Sequence, residues 1–239
     1  MNSATHQKRQ HIVILTGAGI SAESGLQTFR DSDGLWEGYD IEDVATPRAW
    51  HRNPARVLDF YNHRRRQVME AEPNAAHFEL AYWEKFADVT IITQNIDDLH
   101  ERAGSSRVLH LHGEILKMRS EKQEAPLFDI RNDILIGDRA PDGGQFRPHV
   151  VWFEEPVPMM EAAVPVVQQA NCFIIVGTSL MVYPAAGLLQ HASAGIPKFI
   201  VDKKIPQLDN TLNFITLPFP ATIGLPRVTQ HLQEIFGWS

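Results

Sequence analysis

Short, nearly continuous apolar runs recur along the chain, each closed by turn residues and most followed by a helical pattern. His11–Leu15 runs into Gly17-Ala-Gly19, Asp88–Thr93 into Gln94-Asn95, and Val108–His112 into Gly113. Cys172–Val176 runs into Gly177-Thr-Ser179, and Lys198–Val201 into Asp202. Such runs suit strands covered on both faces, as in a parallel sheet. Helical patterns occupy Asn74–Phe86, Met160–Ala170, Pro184–Ala194 and Leu225–Phe236. The alternation predicts an α/β fold: a Rossmann-like parallel sheet with helices on both faces and right-handed crossovers. In such sheets ligands bind outside the carboxyl ends of the strands, so the polar residues after each run are the first candidates. Two stretches fit poorly. Gly38–Ala87 looks helical with no strand of its own, and Glu114–Arg147 is mixed, with Pro126, Pro141, Gly143 and Gly144. They predict a small module made from two insertions, residues 39–85 and 114–147, beside a sheet domain of residues 10–38, 86–113 and 148–239. The chain shows no internal repeat.

Composition narrows the class. With 239 residues, 44 % hydrophobic and 21 % charged, the chain can bury a full core without disulfides or a structural metal. Its one cysteine, Cys172, excludes a disulfide framework and a CxxC zinc site, and points to a reducing, cytoplasmic setting. A formal charge of −7 argues against a nucleic-acid partner held by phosphate contacts. No segment approaches the roughly 18 apolar residues of a membrane span, and Met1–His11 is not followed by an apolar stretch of signal-peptide length. The expectation is a soluble, monomeric protein.

The chemistry candidates sit where the strands end. Gly17-Ala18-Gly19-Ile20-Ser21-Ala22 is a G-x-G-x-x-A turn, whose glycines let backbone approach a pyrophosphate and whose following helix offers free N–H groups. Alone it reads more readily as a simple tight strand-to-helix turn. Glu23 through Asp31, with Phe29 and Arg30, reads either as a segment closing over a ligand or as an exposed loop. Gln94, Asn95 and Asp97, with Ile96 between them, could hold sugar hydroxyls or an amide, or merely cap the next helix. Strand alternation puts His110 and His112 on one face, and one of them would serve as a general base near neutral pH. A metal pair competes, but no third ligand is evident nearby. Tyr61 and Arg64, at i and i+3, form a fork that could hold a carboxylate, although spacing alone favours a solvated basic helix.

Taken together these residues resemble the sirtuin family of NAD-dependent protein-lysine deacylases over most of the chain. The resemblance rests on Gly17-Ala-Gly-Ile-Ser-Ala-Glu-Ser-Gly25, Thr28-Phe-Arg30, Thr93-Gln-Asn-Ile-Asp97, His110-Leu-His-Gly113, Val150-Val-Trp-Phe153 and Gly177-Thr-Ser179. It implies an NAD-binding sheet domain. Gly17, Ala18, Gly19, Ala22, Glu23 and Arg30 would bind NAD phosphate and ribose, with Phe29 shielding the reactive centre. Gln94, Asn95, Ile96 and Asp97 would hold the nicotinamide ribose and carboxamide, and Gly177, Thr178, Ser179, Asp202 and Ala221 the adenosine side. His112 matches the general base, acting with Asn95 and Asp97. Val151, Trp152 and Phe153 match the strand that pairs with an acylated-lysine peptide. Tyr61 and Arg64 match the pair typical of the subclass that removes succinyl, malonyl or glutaryl groups, and Ala45 matches a small residue leaving room for the acyl chain. The products implied are lysine, nicotinamide and O-acyl-ADP-ribose.

The chain departs from the family in three places. Typical sirtuins bind a structural zinc through four cysteines in the region of Arg119–Arg147, which here holds no cysteine or histidine. The expectation is no metal, with Leu127, Phe128, Ile130, Ile134 and Ile136 packing the module instead. Glu154 stands where subclass relatives usually have glycine, and Val201-Asp202-Lys203 replaces an asparagine-led segment. Two competing classes use the same pocket: an NAD glycohydrolase or ADP-ribosyltransferase, and a sensor of NAD or ADP-ribose without turnover.

Overall fold

The computed structural model describes residues 9–27, 35–36, 39–206 and 213–238. In chain order the strands are β1 (His11–Thr16), β2 (Leu35–Trp36), β3 (Tyr39–Asp40), β4 (Asp88–Thr93), β5 (Val108–His110), β6 (Gly113–Ser120), β7 (Phe128–Asp129), β8 (Phe146–Val150), β9 (Cys172–Val176), β10 (Lys198–Val201) and β11 (Ile215–Leu217). The helices are α1 (Ile41–Val44), α2 (Pro47–Arg52), α3 (Pro54–Glu70), α4 (Ala75–Trp83), α5 (Leu99–Arg102), α6 (Met160–Gln168) and α7 (Ala221–Phe236).

Six strands form one parallel sheet in the order β11-β10-β9-β1-β4-β5. Alternation along β1 sends its side chains to opposite faces. Ile12 and Ile14 pack with Leu80 and Trp83 of α4 and Leu225, Val228 and Leu232 of α7. Val13 and Leu15 pack with Phe173, Ile175 and the α6 residues Ala163 and Val167. Because β4 lies on one side of β1 and β9 on the other, the order reverses at β1, and a crevice opens at its carboxyl end.

The insertions meet beside this crevice. Thr46 caps α2 by accepting from the Ala49 N–H, and Pro47 opens the helix without wasting a donor. Asn53 and Pro54 repeat the device for α3. Val57, Leu58, Phe60 and Tyr61 of α3 then pack with Ile115, Ile134, Val150 and Trp152. The second insertion adds a three-stranded antiparallel sheet, β7-β6-β8. Asn62 clamps it to α3, donating to the Ile134 carbonyl and accepting from the Ile134 N–H, both at 2.9 Å. Arg65, fully buried, donates to the carbonyls of Ile115 and Asn132.

Several expectations need correction. The strand expected over Val108–His112 stops at His110, so Leu111 and His112 lie in a turn, and strand alternation does not set the two histidines. The helix expected over Pro184–Ala194 is a 3₁₀ segment, Ala185–His191. The Gly17 turn leads not into an α-helix but into two single 3₁₀ turns, Ala18–Ile20 and Ala22–Ser24. Tyr39–Asp40 supplies a short strand at the edge of the first insertion, and β11 extends the sheet by a strand too short to read from pattern. Of the expected packing residues, Ile134 is buried, Ile130 packs against the same cluster and Phe128 is half-buried against Phe146, but Leu127 and Ile136 are exposed. Among the described residues no helix is long and apolar enough to cross a membrane.

Candidate active site

The sheet ends and the insertions enclose one cavity of about 240 Å³. It brings together Gly17, Ala18, Gly19, Gln94, Asn95, Ile96, Asp97, His112, Gly177, Thr178 and Ser179 from the sheet with Ala45, Tyr61, Arg64, Val151, Trp152 and Phe153 from the other wall. Ala22, Glu23, Asp202 and Ala221 lie outside its lining. Glu23 instead receives the Thr222 N–H and hydroxyl at the start of α7, and Asp202 accepts from the Lys204 N–H. Phe29 and Arg30 fall outside the described residues.

The glycines that line the cavity also join two turns. Gly17 N–H donates to the Val176 carbonyl, and Gly19 N–H to the Gly177 carbonyl. A Cβ on Gly19 would stand 2.6 Å from the Gly177 Cα, and one on Gly177 would stand 2.4 Å from the Ile20 nitrogen. The turns after β1 and β9 therefore interlock backbone against backbone. Gly177 is also at φ +63°, the left-handed region that favours glycine. Of the turn's first N–H groups, those of Gly17, Gly19, Ile20 and Ser21 are all committed to carbonyls within the fold.

A polar web follows from this interlock. The Asn95 amide donates to the Gly17 carbonyl and to the Ser21 hydroxyl, and Ser21 donates to Asp97 Oδ2 at 3.1 Å. Asp97 Oδ1 accepts from the N–H of Leu99, the first residue of α5, and the residue also faces the cavity. Burial pushes its carboxyl up, against the Leu99 and Ser21 bonds that favour the anion. The Gln94 amide donates to the Thr178 hydroxyl, tying the β4 end to the β9 turn. Ser21 is the residue that sequence reading passed over. Its signal was a small hydroxyl in the turn, 2 % exposed once folded and placed between two candidate residues.

The two histidines divide their roles. His110 Nδ1 bonds the Asn95 carbonyl and Nε2 bonds Glu101 at 2.8 Å. Burial opposes its charge, but the Glu101 carboxylate outweighs that and raises its pKa. It anchors the Asn95 backbone as a two-sided donor. His112 Nδ1 lies 3.0 Å from the Gln94 carbonyl, which can only accept, so Nδ1 carries the proton and Nε2 is the basic nitrogen. Burial lowers its pKa, partly offset by that carbonyl, and keeps the ring neutral near pH 7.

Across the cavity, Tyr61 is fully buried and burial holds its phenol protonated. Arg64, 6 % exposed, donates to the Gln27 carbonyl and, at 3.4 Å, to the Gln67 amide oxygen. Trp152 lies 5.6 Å from the Trp50 ring and carries the Arg147 guanidinium 3.2 Å above its own. Arg147 makes a fork with Glu155, which also accepts from the Trp152 N–H. Burial alone would raise the Glu155 carboxyl, but the Arg147 pair more than reverses this. β8 ends at Val150, and the N–H groups of Val151, Trp152 and Phe153 all donate within the chain, to His112, Glu155 and Ala45. These three residues lie in the loop and turn that follow β8 rather than in a regular strand.

A topological-switch crevice in a parallel sheet, with a neutral basic histidine, a buried Asn–Ser–Asp web and an apolar side slot, defines a nucleotide-dependent enzyme class. The comparisons specify it. Residues 17–184 match the model of the Sir2 family. An NAD-dependent protein deacylase of Helicobacter pylori (strain ATCC 700392 / 26695) is 57 % identical over 195 residues, covering 82 % of this chain and 85 % of that one. One from Bacteroides thetaiotaomicron is 46 % identical over 229 residues, covering 93 % and 98 %. A Sir2 homologue solved as an ADP-ribose complex superposes with a TM-score of 0.87 at 34 % identity, over 97 % of this chain and 95 % of that one. The chain belongs to the Sir2 family, an enzyme family whose cofactor is NAD.

Proposed function

We propose that this protein is an NAD-dependent protein-lysine deacylase that favours acidic acyl groups, succinyl, malonyl or glutaryl, over acetyl. The observation that carries the preference is the placement of Arg64 and the Tyr61 phenol in the same cavity as His112, beside the small Ala45. A cation with bidentate donors at the end of an apolar slot suits a terminal carboxylate.

The residues present fit NAD. The Asn95–Ser21–Asp97 web and Gln94 offer donors and acceptors for sugar hydroxyls and an amide, and Gly17 to Gly19 with Gly177 to Ser179 leave backbone, not side chains, along the floor. When bound, NAD would supply the ribose carbon that accepts the acyl oxygen, with nicotinamide and the lysine amine as leaving groups and ADP-ribose as the acyl acceptor. His112 Nε2 accepts a proton from a ribose hydroxyl. Asn95 and Asp97 orient that sugar, and Trp152, with Phe153 at the rim, keeps water from the reacting atoms. Acylated-lysine peptides are the partners, held along Val151–Phe153. Within the second insertion, packing against α3 and the Asn62 clamp stand in for metal ligands. The buried single cysteine suits a reducing cytoplasm.

Nicotinamide release is the test, measured with no peptide, an acetyl-lysine peptide and a succinyl-lysine peptide of the same sequence. Release is expected to be strongest with succinyl-lysine. Arg64→Met should lower kcat/KM on that peptide by about tenfold or more, the size of a lost charge-assisted bond. Preference for acetyl-lysine would overturn the role of Tyr61 and Arg64, and release without peptide would make the protein an NAD hydrolase.

A further inference from the structure

Glu154 is a non-glycine residue at φ +74°, a conformation that L side chains rarely adopt. It lines the cavity that also holds Arg64. A strained residue at a site points to a use for its side chain. That side chain is gripped from across the rim. Arg48 of α2 donates from Nη2 to Glu154 Oε1 at 2.5 Å and from Nε to Oε2 at 3.2 Å. Next to this fork the Phe153 N–H donates to the Ala45 carbonyl at 3.0 Å, so the segment carrying Ala45 and Arg48 holds the segment carrying Phe153 and Glu154 at two points.

The charges of the lining make the fork informative. Among the described residues, three carboxylates line the cavity: Asp97, Glu155 and Glu154. Asp97 is tied to Ser21 and Leu99, and Glu155 is neutralised by Arg147, with Arg119 3.9 Å away. Glu154 depends on Arg48, which also lies 3.5 Å from Glu42. Without Arg48, the Glu154 carboxylate would face an incoming acyl group un-neutralised.

We propose that Arg48 is a specificity-determining residue: by neutralising Glu154 it keeps the mouth of the slot from repelling acidic acyl groups, so Arg48 and Glu154 together set the ratio of acidic to neutral acyl turnover. The inference rests on the acidic-acyl reading for its purpose, but the ratio can be measured whatever the wild-type preference. The experiment compares kcat/KM for succinyl-lysine and acetyl-lysine peptides of one sequence, at low salt and at about 1 M NaCl, where exposed charges are screened within about 3 Å. Arg48→Ala should lower the succinyl-to-acetyl ratio roughly threefold at low salt, with the drop shrinking in high salt. Arg48→Ala with Glu154→Gln should restore it. A ratio unchanged by Arg48→Ala, or a loss that Glu154→Gln does not repair, overturns the proposal. Because each ratio is taken within one variant, partial unfolding cancels. If the wild type prefers acetyl-lysine while Arg48→Ala still shifts the ratio and the double variant restores it, the acidic-acyl reading fails and this inference stands.

Discussion

At Gly19 the space for a methyl group is already filled by the backbone of Gly177. Gly19→Ala should therefore force the two turns apart, at a cost of about 1–3 kcal/mol, read as a lower urea midpoint and weaker NAD binding together. His112 gives a second prediction at this scale. A base must be neutral, and burial lowers this imidazole from 6.5. The acid limb of kcat/KM for nicotinamide release should accordingly have its midpoint below that value. His112→Ala should cut turnover by about a hundredfold or more while calorimetry still detects NAD. Both residues were legible as candidates in the sequence, but their physics was not. Spacing suggested glycines opening to a pyrophosphate and a histidine placed by strand alternation. The fold shows that the glycines also join two turns, and it aims His112 through a carbonyl eighteen residues away in sequence rather than through strand alternation.

Among the elements, α3 is where the two insertions become one body. One face presents Tyr61 and Arg64 to the cavity, while Asn62 and Arg65, one position on, reach the backbone of the second insertion. Asn62→Ala would leave the N–H and carbonyl of Ile134 buried without their partner, a loss of about 2–4 kcal/mol. The expected signature in hydrogen exchange is faster exchange in residues 128–136, with the sheet core unchanged. Sequence periodicity gave β1, β4, β9 and β10 to within a residue, because strands buried on both faces write a continuous apolar run. It misread the module for the same reason. Leu127 and Ile136 are as apolar as Ile134, but it is Ile134 whose backbone Asn62 holds at both ends, and it alone of the three is buried.

Across the whole molecule, buried histidines give the protein an acid limit. His77 is fully buried, and desolvation lowers its pKa to about 4 from 6.5. Its Nδ1 accepts the Asn74 N–H that starts α4, a bond only the neutral ring can make. The unfolded chain binds the proton more readily, so this contribution is complete above about pH 6.5 and is lost as pH falls toward 4. His100, buried against it at 5.0 Å, shifts the same way. Urea midpoints should fall steeply over that interval, and His77→Gln should flatten the slope.

Cys172 lies at the centre of the sheet, fully buried, with its thiol held protonated by burial. Because the chain has one cysteine, the folded protein is silent toward maleimides and other thiol reagents. A single reporter can then be written onto it at will. Met181, 79 % exposed beside the cavity-lining Val182, is the natural place. A Met181→Cys variant would carry one dye, on the rim alone, and turn the arrival and departure of a peptide into a change of colour.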